Sequence, residues 1–144
     1  MAGEGRAFLD SNIWLYAFIE SQDQRKHKAA KKLLLTCSPV LGTQVINEIC
    51  FNLTRKKVST EEEIRELVDS FFQNYEVIPF NRGIIEEASY LRGIHFFSFW
   101  DSLIVSSALH AKATVLYSED MQDGLRVKER LQILNPLKTD FHWP

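Results

Sequence analysis

Four acidic residues stand at or beside breaks in the apolar pattern of this chain. They are Asp10 in Phe8-Leu9-Asp10-Ser11-Asn12, Glu48 in Val45-Ile46-Asn47-Glu48-Ile49, Asp101 in Phe99-Trp100-Asp101-Ser102-Leu103, and Asp120 in Tyr117-Ser118-Glu119-Asp120. Acids this widely spaced converge at one end of a sheet when strands and helices alternate. Converged carboxylates repel one another, and without a cation some would have to protonate. A donor set made only of oxygen suits Mg2+ or Mn2+ rather than zinc or copper. Such an ion polarises a phosphate or deprotonates a water, and a pair of them clamps an in-line displacement. The chemistry open to these residues is therefore that of phosphodiesters.

Each acid has a competing structural explanation. Asp10, Ser11 and Asn12 all cap helices well, but one cap needs one of them. Glu48 falls at the edge of the stripe Ile46, Ile49, Cys50 and Leu53, about 100° round the helix from Ile49, where a solvated glutamate would also be at home. Asp101 completes a capping-box pattern with Ser98, yet it lies on the side of Ile104, Val105 and Ala108, with small residues Ser102, Ser106 and Ser107 following. Asp120 and Glu119 together end a strand, and Asp123-Gly124 just beyond signals a turn in any case.

The elements that must position these acids alternate. Strands are expected at Arg6 to Asp10, Val40 to Thr43, Glu76 to Phe80, Thr114 to Tyr117 and Leu131 to Leu134. Helices are expected at Ser11 to Ile19, Gln24 to Leu35, Val45 to Lys56, from Thr60 to about Gln73, Arg82 to Gly93 and Phe99 to Ala111. Thr60 followed by Glu61, Glu62 and Glu63 is a strong helix start, with a cap, a glutamate at the third position and acids at the positive dipole end. The pattern is that of one α/β domain around a mostly parallel sheet, whose ligand site lies at the carboxyl ends of the strands. Residues 1 to about 5 are expected to be a short disordered lead-in.

Composition narrows the classes. The chain has 144 residues, 45% apolar and 25% charged, with a net charge of −2, so it is long enough for one core and any basic surface must be local. No apolar run is long enough to span a membrane, and Met1 to Arg6 lacks the layout of a signal peptide. Cys37 and Cys50 sit among apolar neighbours, as thiols buried in a reducing cytoplasm would. Two cysteines and four histidines offer no zinc pattern, and His95 and His110 read as structural.

Taken in order and spacing, the segments resemble the PIN-domain nucleases, and within them the VapC-like toxin branch, over nearly the whole chain. Phe8-Leu9-Asp10-Ser11-Asn12 looks like that family's opening Asp-Thr/Ser-Asn, and Asn47-Glu48 stands where its helix glutamate is expected. Trp100-Asp101-Ser102-Leu103-Ile104 looks like its Asp-Ala/Ser-Leu-Ile motif, and Tyr117-Ser118-Glu119-Asp120 like its final strand end, with Ser118 in the Thr/Ser place. The resemblance implies a single PIN-like domain with a parallel five-stranded sheet flanked by helices, and a Mg2+- or Mn2+-dependent endoribonuclease. It implies Asp10 and Asp101 as main metal ligands, Glu48 completing the site or holding the attacking water, and Asp120 binding a second metal or a bridging water, with Glu119 in reserve. Ser11 and Asn12 would orient Asp10. It further implies the toxin of a type II toxin–antitoxin pair, homodimeric and inhibited by a small antitoxin protein.

Two basic clusters accompany the acids: Arg25, Lys26, His27 and Lys28 with Lys31 and Lys32, and Arg55, Lys56 and Lys57. They read either as ordinary solvated helix faces or as a phosphate track toward the acids. Arg25, Lys26, Lys28, Lys32, Arg55 and Lys56 are the candidate RNA contacts. The run Phe96-Phe97-Ser98-Phe99-Trp100 reads first as core packing and second as a stacking platform for bases, and Trp143 as a seal on the core or a dimer contact. Two rival classes remain. One is another Mg2+-dependent α/β phosphoryl-transfer domain, although a phosphatase would want a second Asp where Asn12 stands. The other is a non-catalytic RNA- or protein-binding module.

Overall fold

The computed structural model describes residues 5–19 and 23–143. The lead-in expected to be disordered falls, except for Gly5, outside the described residues. The element order is β1 (Arg6–Leu9), α1 (Ser11–Phe18), α2 (Gln24–Thr36), β2 (Ser38–Gly42), α3 (Thr43–Lys56), α4 (Glu61–Asn74), β3 (Glu76–Ile78), α5 (Arg82–Ile94), α6 (Phe99–His110), β4 (Val115–Tyr117), β5 (Arg126–Val127) and β6 (Leu131–Leu134). The strands form one sheet in the order β3-β2-β1-β4-β6-β5. Every pairing is parallel except that of β5 with β6.

The sheet has six strands where the sequence leads one to expect five. The extra strand, β5, is two residues long and pairs antiparallel at the edge. It returns through Lys128 and Glu129, both at positive φ (51° and 56°), a tight turn made from residues that carry no turn signature. At the other edge β3 stops at Ile78, short of the expected Phe80, because Pro79 has no N–H to donate to the ladder.

Strand β1 is central, so Ala7, Phe8 and Leu9 are all buried whichever face they point to. The chain lays β2 and β3 to one side of it and β4 and β6 to the other. The order therefore reverses between β1 and β4, the position where α/β sheets open a crevice at their carboxyl ends. Leu9 pairs with Tyr117 across that reversal, and Asp10 N donates to Tyr117 O at 3.0 Å. Residues 10 and 118 thus leave the sheet side by side.

Helix α1 is fixed against the sheet by Trp14. Its indole Nε1 donates to Leu9 O at 3.0 Å, and its ring meets Phe71 and Tyr75 edge-on, with centroids 5.4 and 4.9 Å away. The α4 start forms as its sequence suggests, with Glu63 N donating to Thr60 Oγ1 and Thr60 N to Glu63 Oε1. In α3 the residues Ile46, Ile49 and Leu53 face the core and Cys50 is half-buried.

Helix α6 departs from the amphipathic reading: every residue from Ser102 to Leu109 is buried. It lies between α5, α3 and strands β2 and β4, so it has no polar side for Asp101 to contrast with. Its serines make the close fit possible. Ser106 Oγ donates to Ile84 O at 2.7 Å, and a Cβ added to Gly83 of α5 would stand 2.9 Å from His110 Cε1. No helix among the described residues is long and apolar enough to cross a membrane.

One hydroxyl in this helix has no partner. Ser107 Oγ is the sole buried side-chain N or O among the described residues without a hydrogen bond. A buried unsatisfied hydroxyl is destabilising, and alanine is the better helix former. Ser107→Ala should therefore raise unfolding free energy by about 1 kcal/mol in urea titration; a loss of stability would show that the hydroxyl is bonded.

Candidate functional site

Asp10 is the innermost acid, 6% exposed at the end of β1. It does cap α1, since Oδ1 accepts from Ser11 N at 2.8 Å, but its second oxygen, Oδ2, accepts from Ser118 Oγ at 2.9 Å across the strand reversal. Ser11 and Asn12, left over by that cap, each reach another acid. Ser11 Oγ donates to Glu48 Oε1 at 2.9 Å, and Asn12 Nδ2 donates to Asp120 Oδ2. Asn12 therefore orients Asp120 rather than Asp10. The three-residue turn Asp10-Ser11-Asn12 so touches three of the four acids' surroundings.

Glu48 projects from the second turn of α3 and is half-buried; Gln44, one turn earlier, donates Nε2 to its Oε2 at 3.0 Å. Asp101 sits in the first turn of α6. Ser98 Oγ accepts from Asp101 N at 3.1 Å, but among the described residues no bond from Ser98 N occupies the Asp101 carboxylate, so the cap is one-sided. Asp120 is exposed. Together with Asp101 it lines a cleft of about 200 Å³ shared with His95, Phe96, Phe97, Met121, Gln122 and Leu125.

The charges report their own proximity. Burial pushes the Asp10 carboxyl from 3.8 up to about 6, against the lowering effect of the Ser11 and Ser118 hydrogen bonds, and the charges of Glu48 and Asp101 push it further up. Asp101 is raised by burial first, with the Ser98 hydroxyl opposing and the charges of Glu48 and Asp120 adding to the rise. All four acids are thus linked by mutual repulsion, and among the described residues no Lys, Arg or His pairs with any of them. An oxygen-only set with one buried member and this much repulsion fits a hard divalent cation. The side chains are not closed into a coordination sphere: no group of three or more His, Cys, Asp or Glu among the described residues stands in metal-holding geometry. Closing it would take side-chain rotation of Glu48, Asp101 or Asp120, all more exposed than Asp10.

Glu119 points elsewhere. Its carboxylate accepts from Tyr16 Oη at 3.0 Å and from Lys26 Nζ. The basic cluster of α2 is accordingly less available than its sequence suggests. Besides Lys26, Arg25 Nη1 donates to Leu137 O at 2.6 Å, and Lys32 Nζ lies 4.3 Å from the centre of the Trp143 ring. Lys28 is exposed. Arg55 packs on Phe51 and donates to Asn52 Oδ1, while Lys56 lines a pocket with Asn12, Leu15, Tyr16, Ile19, Asn52 and Val58, beside Asp120's partner.

The aromatic run is not core. Phe96, in the turn between α5 and α6, is 109% exposed, and Phe99 and Trp100, the first two residues of α6, are 53% and 56% exposed, while Phe97 alone of these aromatics packs against the core. Trp100 and Phe51 line an open groove with Gln44, Asn47, Glu48 and Asn52. Sequence reasoning passed over Gln44 and Tyr16, and read as structural His95, which lines the cleft. Only Gln44, at i−4 from Glu48, had a local signal to find it by.

The raised Asp10 value carries a stability consequence. The folded-state pKa lies above the unfolded one, so burying the charge penalises the fold once the carboxyl ionises. Stability therefore falls as pH rises from about 4 to about 6, by about 3 kcal/mol in all. In chelator-containing buffer, Asp10→Asn should raise the melting temperature at about pH 8 and give no gain at about pH 4. An equal change at both values would contradict the burial account.

A comparison with curated proteins by sequence gives no match. Among solved structures the chain is similar to one in a toxin–antitoxin complex from Klebsiella pneumoniae, at 15% identity over 90% of this chain and 97% of that one, with a TM-score of 0.67. It is also similar to VapBC2 from Rickettsia felis bound to a DNA fragment from its promoter, at 21% identity over 90% and 98% of the two chains and a TM-score of 0.64. A third likeness is to Mycobacterium tuberculosis VapC20, a sarcin-ricin loop cleaving toxin, at 16% identity over 76% and 86% and a TM-score of 0.63. At these identities the likeness is one of fold. The PIN domain family matches residues 7–128, a span that takes in all four acids, and the chain belongs to that family.

Proposed function

We propose that this chain is a metal-dependent endoribonuclease that hydrolyses RNA phosphodiester bonds at the Asp10, Glu48, Asp101 and Asp120 site. The observation that carries the reading is the buried Asp10 carboxylate, coupled by repulsion to Glu48 and Asp101 and paired with no cationic side chain among the described residues. Mg2+ or Mn2+ bound among these oxygens would polarise the scissile phosphate and lower the pKa of the attacking water.

The residues divide the remaining work. Asp10, fixed by Ser11 N and Ser118 Oγ, supplies an oxygen that does not need to be ordered when the substrate arrives. Asp101 offers a carboxylate in the first turn of a helix that is buried from Ser102 to Leu109. Glu48, held through Ser11 and Gln44, would orient the attacking water and take its proton. Asp120, at the open side of the cleft, supports the outer oxygens. Water adds to phosphorus and the bond to the leaving oxygen breaks in line.

Asp10→Asn and Asp101→Asn should each lower RNA cleavage with Mg2+ or Mn2+ by about 100-fold or more, the roughly 3 kcal/mol expected when metal-borne charge stabilisation is lost. Full activity in either variant overturns the assignment. For the substrate path, Lys56→Ala should raise KM without changing kcat and reduce the salt slope of RNA binding by about one; an unchanged slope removes Lys56 from that path. The likeness to toxin–antitoxin complexes supports a toxin role with an antitoxin protein as partner; a homodimer rests on the sequence resemblance alone.

One observation favours a second reading, a non-catalytic RNA- or protein-binding module: the acids do not stand in closed metal-holding geometry. That reading expects no Mn2+ binding by calorimetry and no loss on Asp101→Asn.

A further inference from the structure

The adjacent acids Glu119 and Asp120 are held by two donors on one face of α1. Asn12 and Tyr16 are four residues apart, hence neighbours on the helix surface. Asn12 takes Asp120 and Tyr16 takes Glu119. A third group completes the capture of Glu119: Lys26 Nζ bonds its Oε2 and also reaches Tyr16 Oη at 3.4 Å. The pair is more than a surface contact, since the Lys26 and Glu119 side chains are only 25% and 19% exposed. Tyr16 is pinned in turn, its carbonyl lying 2.7 Å from His27 Nδ1 of α2.

The turn itself is tethered at every other point. Ser118 N donates to Leu134 O at 3.0 Å, Met121 N to Ser118 Oγ at 3.3 Å, and Asn135 Nδ2 to Glu119 O at 3.5 Å. Of the two adjacent acids, Asp120 lines the cleft that Asp101 lines and Glu119 does not. Glu119 is not among the charges that raise either Asp10 or Asp101.

We propose that Tyr16 and Lys26 form a capture site for Glu119, and that this triad is a positioning device that presents Asp120 alone to the metal. This rests on the reading of the four acids as a metal site. Lys26 then acts through Glu119 and Asp120, not as a contact to the RNA backbone. Loss of either captor leaves Glu119 held by one bond fewer and loosens the turn that carries Asp120.

The test is Mn2+ binding by calorimetry with steady-state RNA cleavage alongside, on wild type, Lys26→Met, Lys26→Arg, Glu119→Gln and Tyr16→Phe, each also with Asp120→Asn. Lys26→Met and Tyr16→Phe should weaken Mn2+ binding by about tenfold and lower kcat with little change in KM. Lys26→Arg should recover most of the loss. In the Asp120→Asn background neither change should weaken binding further, because both act through that carboxylate. Tyr16→Phe removes only a hydroxyl and keeps the test open if Lys26→Met folds poorly. Three results overturn the proposal: wild-type Mn2+ affinity in both Lys26→Met and Tyr16→Phe, an undiminished loss in the Asp120→Asn background, or a rise in KM alone on Lys26→Met, which would make Lys26 an RNA contact. Failure of the wild type itself to bind Mn2+ would instead overturn the metal-site reading, and this proposal with it.

Discussion

A carboxylate almost completely withdrawn from water, at the point where the strand order reverses, is the constraint on which the rest of the site depends. Asp10 occupies that point because β1 is central and because Leu9 pairs with Tyr117. The ordinary partner for a buried charge is a cation. Here the partners are a backbone N–H and the Ser118 hydroxyl, and the nearest charges that affect it are other acids. Two neutral donors offset part of the desolvation and leave the carboxyl raised to about 6. A fold that keeps such a group carries a cost that a divalent cation in the cleft would reverse.

Asp10 is buried, Asp101 and Glu48 are half-buried and Asp120 is exposed. A backbone N–H and the buried Ser118 hydroxyl hold Asp10, the Ser11 hydroxyl and the Gln44 amide hold Glu48, and the Asn12 amide holds Asp120. On the proposed reading, the fixed oxygens of Asp10 would define where an ion sits, and the more exposed carboxylates would adjust as a phosphate passes through an in-line displacement. Lys26 and Tyr16 extend this arrangement by taking one surplus acid out of it.

Much of this was legible in the sequence, and the failures share a cause. The stripe of α3, the Thr60–Glu63 cap and the strand ending at Asp10 are local patterns, and all three stand as expected. The four acids of the sequence pattern stand close enough for their charges to act on one another, although of the four only Asp101 and Asp120 line the same cleft. What sequence could not show depends on contacts between distant positions. Lys26 looks like a solvated helix residue, yet its partner lies 93 residues away. The aromatics from Phe96 to Trp100 look like core, yet Phe96 in the turn and Phe99 and Trp100 at the start of α6 all stand exposed. Strand β5 is too short for any periodicity, and α6 has no face to read because Ser102 to Leu109 are all buried.

The central claim is that Asp10 is a buried, repelled carboxylate awaiting a divalent cation, and NMR titration of its side-chain carboxyl tests this most directly. In chelator the resonance should titrate near pH 6. With saturating Mg2+ the same group should stay ionised to a pH below the usual carboxylate range. A titration at the ordinary aspartate value in both conditions, or one near pH 6 that Mg2+ leaves unmoved, would contradict it.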